Sequence, residues 1–170
     1  MNTKTRIVTI FGAKGGTGRS VLAANLAVAM AQLSKKPVAL VDLDWLTGGS
    51  LASYLDLEPI QSHWWEWAEG GKGLADVLHA HASGVNLVPP APAGTAVLSP
   101  DQLVELLNQL SQNHPTIVID TCWPHISPLM LPLFDLASCV ITTCTPDITT
   151  LQATKELLDK ARDLHFPSDR

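Results

Sequence analysis

Charge is scarce in this chain. Asp, Glu, Lys and Arg make up 16% of its 170 residues against 46% hydrophobic ones, which excludes a self-repelling disordered polymer and leaves material for a real core. Basic residues are scarcer still: 11 Lys and Arg face 16 Asp and Glu, for a net charge of −5. No broad cationic face can form from them, so nucleic acid is not expected as a partner. The basic residues that do cluster, Lys4 with Arg6 and Lys35 with Lys36, read as small solvated groups. Cysteine is also rare. Cys122, Cys139 and Cys144 are odd in number and lack metal-ligand spacing, which reads as reduced, small core residues of a cytoplasmic protein. No apolar run is long enough to span a bilayer. No signal-peptide pattern opens the chain, because the short run Arg6–Phe11 passes straight into glycines. Internal repeats and low-complexity tracts are absent.

What remains is an alternation of apolar strand-like and helix-like segments, on a length that suits one α/β domain. Strands are expected at Arg6–Phe11, Val38–Val41, Val85–Val88, Thr116–Ile119 and Cys139–Thr143. Helices are expected at Val21–Leu33, Leu51–Leu55, Leu74–His79 and Thr149–Leu164, with another opening at Ser99-Pro100-Asp101. There Ser99 reads as N-cap and Pro100 as first helical residue, and Leu103, Leu106, Leu107 and Leu110 follow at helical spacing. Strands that are apolar throughout imply a mainly parallel sheet with helices on both faces. Ligands of such sheets bind at the carboxyl ends of the strands. The chain stops soon after its last helix, where a βα alternation normally enters another strand, so a domain truncated at its C-terminus is expected.

The glycine-rich stretch 12–20 lies between the first strand and the first helix. A turn of this kind cradles phosphate, since small residues let backbone N–H groups approach and the helix N-terminus adds positive potential. The strict P-loop pattern fails at two positions: Ala13 takes the first Gly position and Arg19 the Lys position. Lys14 and Arg19 supply cations, Ser20 stands at the Mg²⁺ hydroxyl position, and Asp120 closes the apolar run Ile117-Val118-Ile119 in the Walker B manner. Asp42 and Asp44 form an Asp-x-Asp after the second strand; two apart in extended chain, they are expected on one face, converging on one site. The segment 58–72 is irregular in pattern and holds His63-Trp64-Trp65-Glu66-Trp67. Such an aromatic cluster either anchors a partner or membrane interface or covers an exposed core edge. His79 and His81 read as helix-surface histidines, since no further ligand has sensible spacing.

Lys14-Gly15-Gly16-Thr17-Gly18-Arg19-Ser20 resembles the deviant Walker A loop of the MinD/ParA family of P-loop ATPases. The resemblance covers almost the whole chain and implies ATP and Mg²⁺ as cofactors. It implies that Lys14 reaches across a nucleotide-sandwich homodimer, and that Gly15, Gly16, Thr17, Gly18, Arg19, Ser20 and Val21 bind the nucleotide. It further implies that Asp44 orients the attacking water, with Ser20, Asp42 and Asp120 around the metal. Arg19 departs from the family lysine, and Val21 stands where many relatives have a second hydroxyl, so slow turnover is expected. Phrases such as Phe11-Gly12-Ala13-Lys14-Gly15-Gly16, Val41-Asp42-Leu43-Asp44-Trp45-Leu46-Thr47-Gly48-Gly49 and Gly73-Leu74-Ala75-Asp76-Val77-Leu78 look most like the TadZ/CpaE branch. That branch implies a localisation factor for Tad/Flp pilus assembly, with membrane-associated secretion or pilus proteins as partners. Its place would be the cytoplasm, the inner-membrane surface or a cell pole. A nucleotide-binding scaffold without turnover, and a partitioning or cell-division positioning ATPase, are the alternative functions.

Overall fold

The structure is a computed structural model that describes residues 5–57, 59–94, 98–122, 130–164 and 166. Lys4, Glu58 and the tail 167–170 lie outside the described residues. In chain order the elements are β1 (Arg6–Phe11), α1 (Arg19–Ser34), β2 (Val38–Asp42), α2 (Leu51–Tyr54) and α3 (Trp64–Ala68). A 3₁₀ turn (Leu74–Val77) leads to β3 (His79–Ala80) and β4 (Val85–Val88). Then follow α4 (Pro100–Ser111), β5 (Thr116–Asp120), α5 (Leu131–Leu136), β6 (Cys139–Thr142) and α6 (Ile148–Asp163). The strands form one sheet in the order β3-β4-β2-β5-β1-β6, parallel except for the β3–β4 pair.

Alternation along each strand feeds two cores. Ile10, Val38, Leu40, Val85, Leu87 and Val118 face α1 and α2. Helix α1 meets them with Ala23, Ala24, Ala27 and Ala31, whose small side chains let it lie close to the sheet. Ile7, Phe11, Ala39, Val41, Ile117 and Ile119 point the other way, into a core shared with Trp64, the α4 leucines, Leu133, Phe134 and Leu157. With both faces covered the strands carry no polar alternation, as a buried parallel sheet requires. Helix α4 starts as its sequence dictates: the Ser99 hydroxyl accepts from the Gln102 N–H, and the Gln102 side chain accepts from the Ser99 N–H.

Three expectations need correction, and one helix was not expected. Segment 58–72 is not irregular throughout but contains a helix, α3; of the two readings of its tryptophans the core-covering one holds, since Trp64 is buried and Trp65 and Trp67 pack against the same cluster. His79 lies in an edge strand, not a helix; the helical stretch is a 3₁₀ turn ending at Val77. Cys144 is exposed, and Cys122 and Cys139 are half-buried. Helix α5 carries no sequence signal that six residues with an internal proline could supply.

Candidate functional site

The order β2-β5-β1 sets the carboxyl ends of these three strands side by side. From β1 the chain enters the turn 12–18. Gly16 (φ +78°) and Gly18 (φ +85°) occupy the left-handed region that strains other residues. Gly18 opens α1 without a side-chain cap, and no acidic residue stands in the first helical turn. The leading N–H groups and the positive helix end are therefore left for an external anion. Gly15 lacks a positive φ, and a Cβ built there meets nothing within 4 Å. Neither backbone nor packing demands glycine at Gly15, which leaves this part of the turn open to the approach of an outside group. Gly12 is pressed from within: a Cβ would stand 2.8 Å from the hydroxyls of both Thr17 and Thr143.

Asp120 ends β5 at 2% exposure. Burial pushes its carboxyl up to about 6, while a hydrogen bond from Ser20 and the charge of Arg19 pull it back. Its Oδ1 and the Nη1 of Arg19 are buried without hydrogen-bond partners. Among the described residues Thr9, Trp64, Trp65 and Thr154 also hold an unpaired buried polar atom, but Arg19 and Asp120 are oppositely charged neighbours at the uncapped start of α1, where an outside ligand fits. Asp120 and Ser20 form a hard oxygen donor set suited to Mg²⁺, which takes few protein ligands and completes its shell with phosphate oxygens and water. Among the described residues no cluster of three His, Cys, Asp or Glu offers a closed protein-only metal site.

Asp42 and Asp44 part ways. The Asp42 carboxylate turns inward and accepts the N–H groups of Asp44, Ser50 and Leu51 at 2.9, 3.3 and 3.3 Å, organising the loop from below. Burial pushes it up to about 7, against those hydrogen bonds and with the Asp120 charge adding to the rise. Asp44 accepts from the Leu46 and Thr47 N–H groups and from the Thr47 hydroxyl. It lines a cavity of about 350 Å³ together with Gly15, Gly16, Arg19, Ser20, Leu46, Thr47 and Cys122. A second cavity, of about 260 Å³, lies against Gly16, Gly18, Arg19, Ser20, Val21 and Tyr54.

The structure thus gathers Gly15, Gly16, Arg19, Ser20 and Asp44 around one cavity, with Asp120 beside Ser20 and Arg19, and brings Gly18 and Val21 to the other. Asp42 lies outside the described lining of both. Lys14 also lies outside, its Nζ donating to the Thr149 hydroxyl at the start of α6. The Thr17 hydroxyl faces Thr143 at 2.8 Å and so ties the turn to the end of β6. Thr143 and Tyr54 have no motif of their own. Thr143 sits at a parallel-strand end, where the ligand rule for such sheets points; nothing local marks Tyr54.

The ParA family model, described as NUBPL iron-transfer P-loop NTPase, matches residues 3–110. The antiactivator FleN of Pseudomonas aeruginosa is 33% identical over 121 residues, covering 68% of this chain and 42% of FleN. The septum site-determining protein MinD of Pyrococcus horikoshii, solved with Mg-ADP, superposes with a TM-score of 0.75 at 26% identity over 92% of this chain and 65% of that one. A ParA family ATPase of Chlorobium tepidum shares the fold with a TM-score of 0.80 at 21% identity over 94% of this chain and 68% of its own. This chain therefore spans less than half the length of FleN.

Proposed function

This chain belongs to the ParA family of P-loop NTPases, and on that footing we propose that it is a magnesium–nucleotide switch. It binds ATP at the Lys14–Val21 turn, pairs with a second copy across the nucleotide, hydrolyses slowly, and in the bound form positions a cell-envelope machine such as a Tad/Flp pilus. The observation that carries this reading is the pair of orphaned buried atoms, Arg19 Nη1 and Asp120 Oδ1, beside the uncapped start of α1. The Mg-ADP bound by the Pyrococcus MinD supports the choice of ligand.

Gly15, Gly16, Thr17 and Gly18 offer backbone N–H groups to the phosphates, and Arg19 offers a guanidinium fork. Ser20 and Asp120 would hold Mg²⁺, which when bound neutralises phosphate charge and draws electrons from the bond being broken. Asp44 orients the attacking water through the acceptor capacity its loop hydrogen bonds leave free. Asp42 serves from behind, fixing the loop that presents Asp44. Lys14 leaves Thr149 to reach the nucleotide of the second copy. The pilus assignment rests on the resemblance of the Asp42–Gly49 and Gly73–Leu78 phrases to the TadZ/CpaE branch.

One observation favours a scaffold that binds nucleotide without turnover: Arg19 stands where a compact ammonium normally sits, and its forked, longer head is a different instrument. Single-turnover hydrolysis, run beside light scattering in Mg·ATP and Mg·ADP, separates the readings. Slow hydrolysis with a doubling of mass only in ATP supports the switch. Binding without hydrolysis supports the scaffold, and no binding contradicts both.

A further inference from the structure

The turn that follows α3 borders a cavity of about 270 Å³, lined by Trp65, Glu66, Glu69, Gly71 and Lys72. It shares no lining residue with the two cavities at the glycine turn. Its volume is below the roughly 300–1,000 Å³ of a pocket that takes a whole small molecule, and it suits the head of one side chain.

The walls are fixed. Gly70, at φ +76°, turns the chain back, and the N–H groups of Gly71 and Lys72 donate to the Glu66 carbonyl at 2.9 and 3.1 Å. Trp65 packs against the core with its indole nitrogen buried, so the ring is wedged and only part of its surface is left to the cavity. At the other end of α3 the Trp64 N–H donates to the Pro89 carbonyl, and His63 Nδ1 donates to the Pro90 carbonyl at 2.7 Å. Pro90 in turn abuts Gly49, in the loop that carries Asp44.

The charges of the lining are not all satisfied. Glu66 is spent internally: one carboxylate oxygen accepts the His63 N–H at 2.8 Å, and the other pairs with Lys72 at 3.0 Å. Glu69 is exposed, and its carboxylate has no hydrogen bond or ion pair among the described residues. Two acids against one lysine leave the lining one negative charge beside an aromatic ring. A cation meets both features at once, since the negative face of an indole attracts it as the carboxylate does. A guanidinium suits the place better than an ammonium, because it is planar, stacks on aromatic faces and is more weakly hydrated. The one lysine of the lining is already paired, so no cation is left for the α-carboxylate of a free amino acid.

We propose that this cavity is a docking site for an arginine side chain of a partner protein, its guanidinium held between the Trp65 ring and the Glu69 carboxylate. The site stands apart from the glycine turn and does not depend on nucleotide.

The chain has five tryptophans, so the ¹⁵N-labelled full chain shows five indole N–H resonances, and the one missing from Trp65→Phe is that of Trp65. Titrated without nucleotide, a blocked Ala-Arg-Ala peptide is expected to shift this resonance saturably. The same peptide with citrulline, which keeps the shape and lacks the charge, binds at least about fivefold more weakly. Glu69→Gln weakens the arginine peptide about threefold and, at an exposed position, leaves the urea midpoint unchanged. No saturable shift at Trp65, equal affinity for the two peptides, or unchanged affinity in Glu69→Gln overturns the proposal. So does equal binding of a blocked Ala-Asp-Ala peptide, which would make Lys72 the anchor. A Trp65 resonance that moves when the protein alone is diluted would give the cavity to a second copy of this chain, and overturns the partner assignment.

Discussion

At Asp120 a carboxylate at 2% exposure keeps one oxygen unpartnered, next to a guanidinium nitrogen in the same condition. Above its raised value of about 6 the ionised form weighs on the ligand-free fold. Asp120→Asn is therefore expected to raise the ligand-free Tm at pH 7.5 by about 2–4 °C while removing the magnesium dependence of nucleotide binding. Thermal scans with and without Mg·ADP check both halves. Asp42, raised to about 7 from 3.8, gives a pH signature of its own. The folded state binds its proton more tightly than the unfolded state, so the stability it contributes is complete below pH 3.8 and is lost as pH rises through about 7. His114, whose burial lowers its pKa, works in the opposite sense, its share fading as pH falls. Urea midpoints of wild type and Asp42→Asn, compared from pH 4 to 8, isolate the carboxyl: the wild type loses stability relative to the variant as pH rises.

Loop 43–50 is the element that carries Asp44, and it closes on Gly49. With φ +78°, Gly49 already sits where side chains are strained, and a Cβ would stand 2.5 Å from Asp42 Oδ2 and 2.6 Å from Pro90 Cγ. Gly49→Ala is expected to cost about 2–3 kcal/mol in chemical denaturation and to weaken nucleotide binding with it. Gly15→Ala is the contrast: open space around its Cβ predicts near-wild-type stability with phosphate binding lost. Much of this architecture was legible in the sequence. The apolar strands, the Ser99-Pro100 helix start and the glycine turn each have a local cause that tertiary contacts do not override. The Asp42/Asp44 geometry was not legible, because β2 ends at Asp42 and the same-face rule lapses where the chain leaves extended form. Helix α3 was hidden for a related reason: Trp64, Trp65 and Trp67 are set by burial against the core rather than by periodicity over five residues. The two-residue β3 is defined only by its pairing with β4.

Taken whole, the molecule is a doubly covered sheet whose strand ends hold a cationic turn against two acids, with Lys14 drawn aside to Thr149 at the start of α6. Lys14→Ala is expected to leave nucleotide affinity within about threefold of wild type and to abolish the ATP-dependent doubling of mass in light scattering. The orphaned atoms beside α1 are the place we propose for a magnesium-bound nucleotide. Titration calorimetry of the full chain with ATPγS, run with Mg²⁺, with EDTA, and with Asp120→Asn in Mg²⁺, tests it most directly. One nucleotide per chain is expected in Mg²⁺, with an affinity at least about tenfold weaker in the other two titrations. No binding in Mg²⁺, or equal affinity in all three, contradicts it.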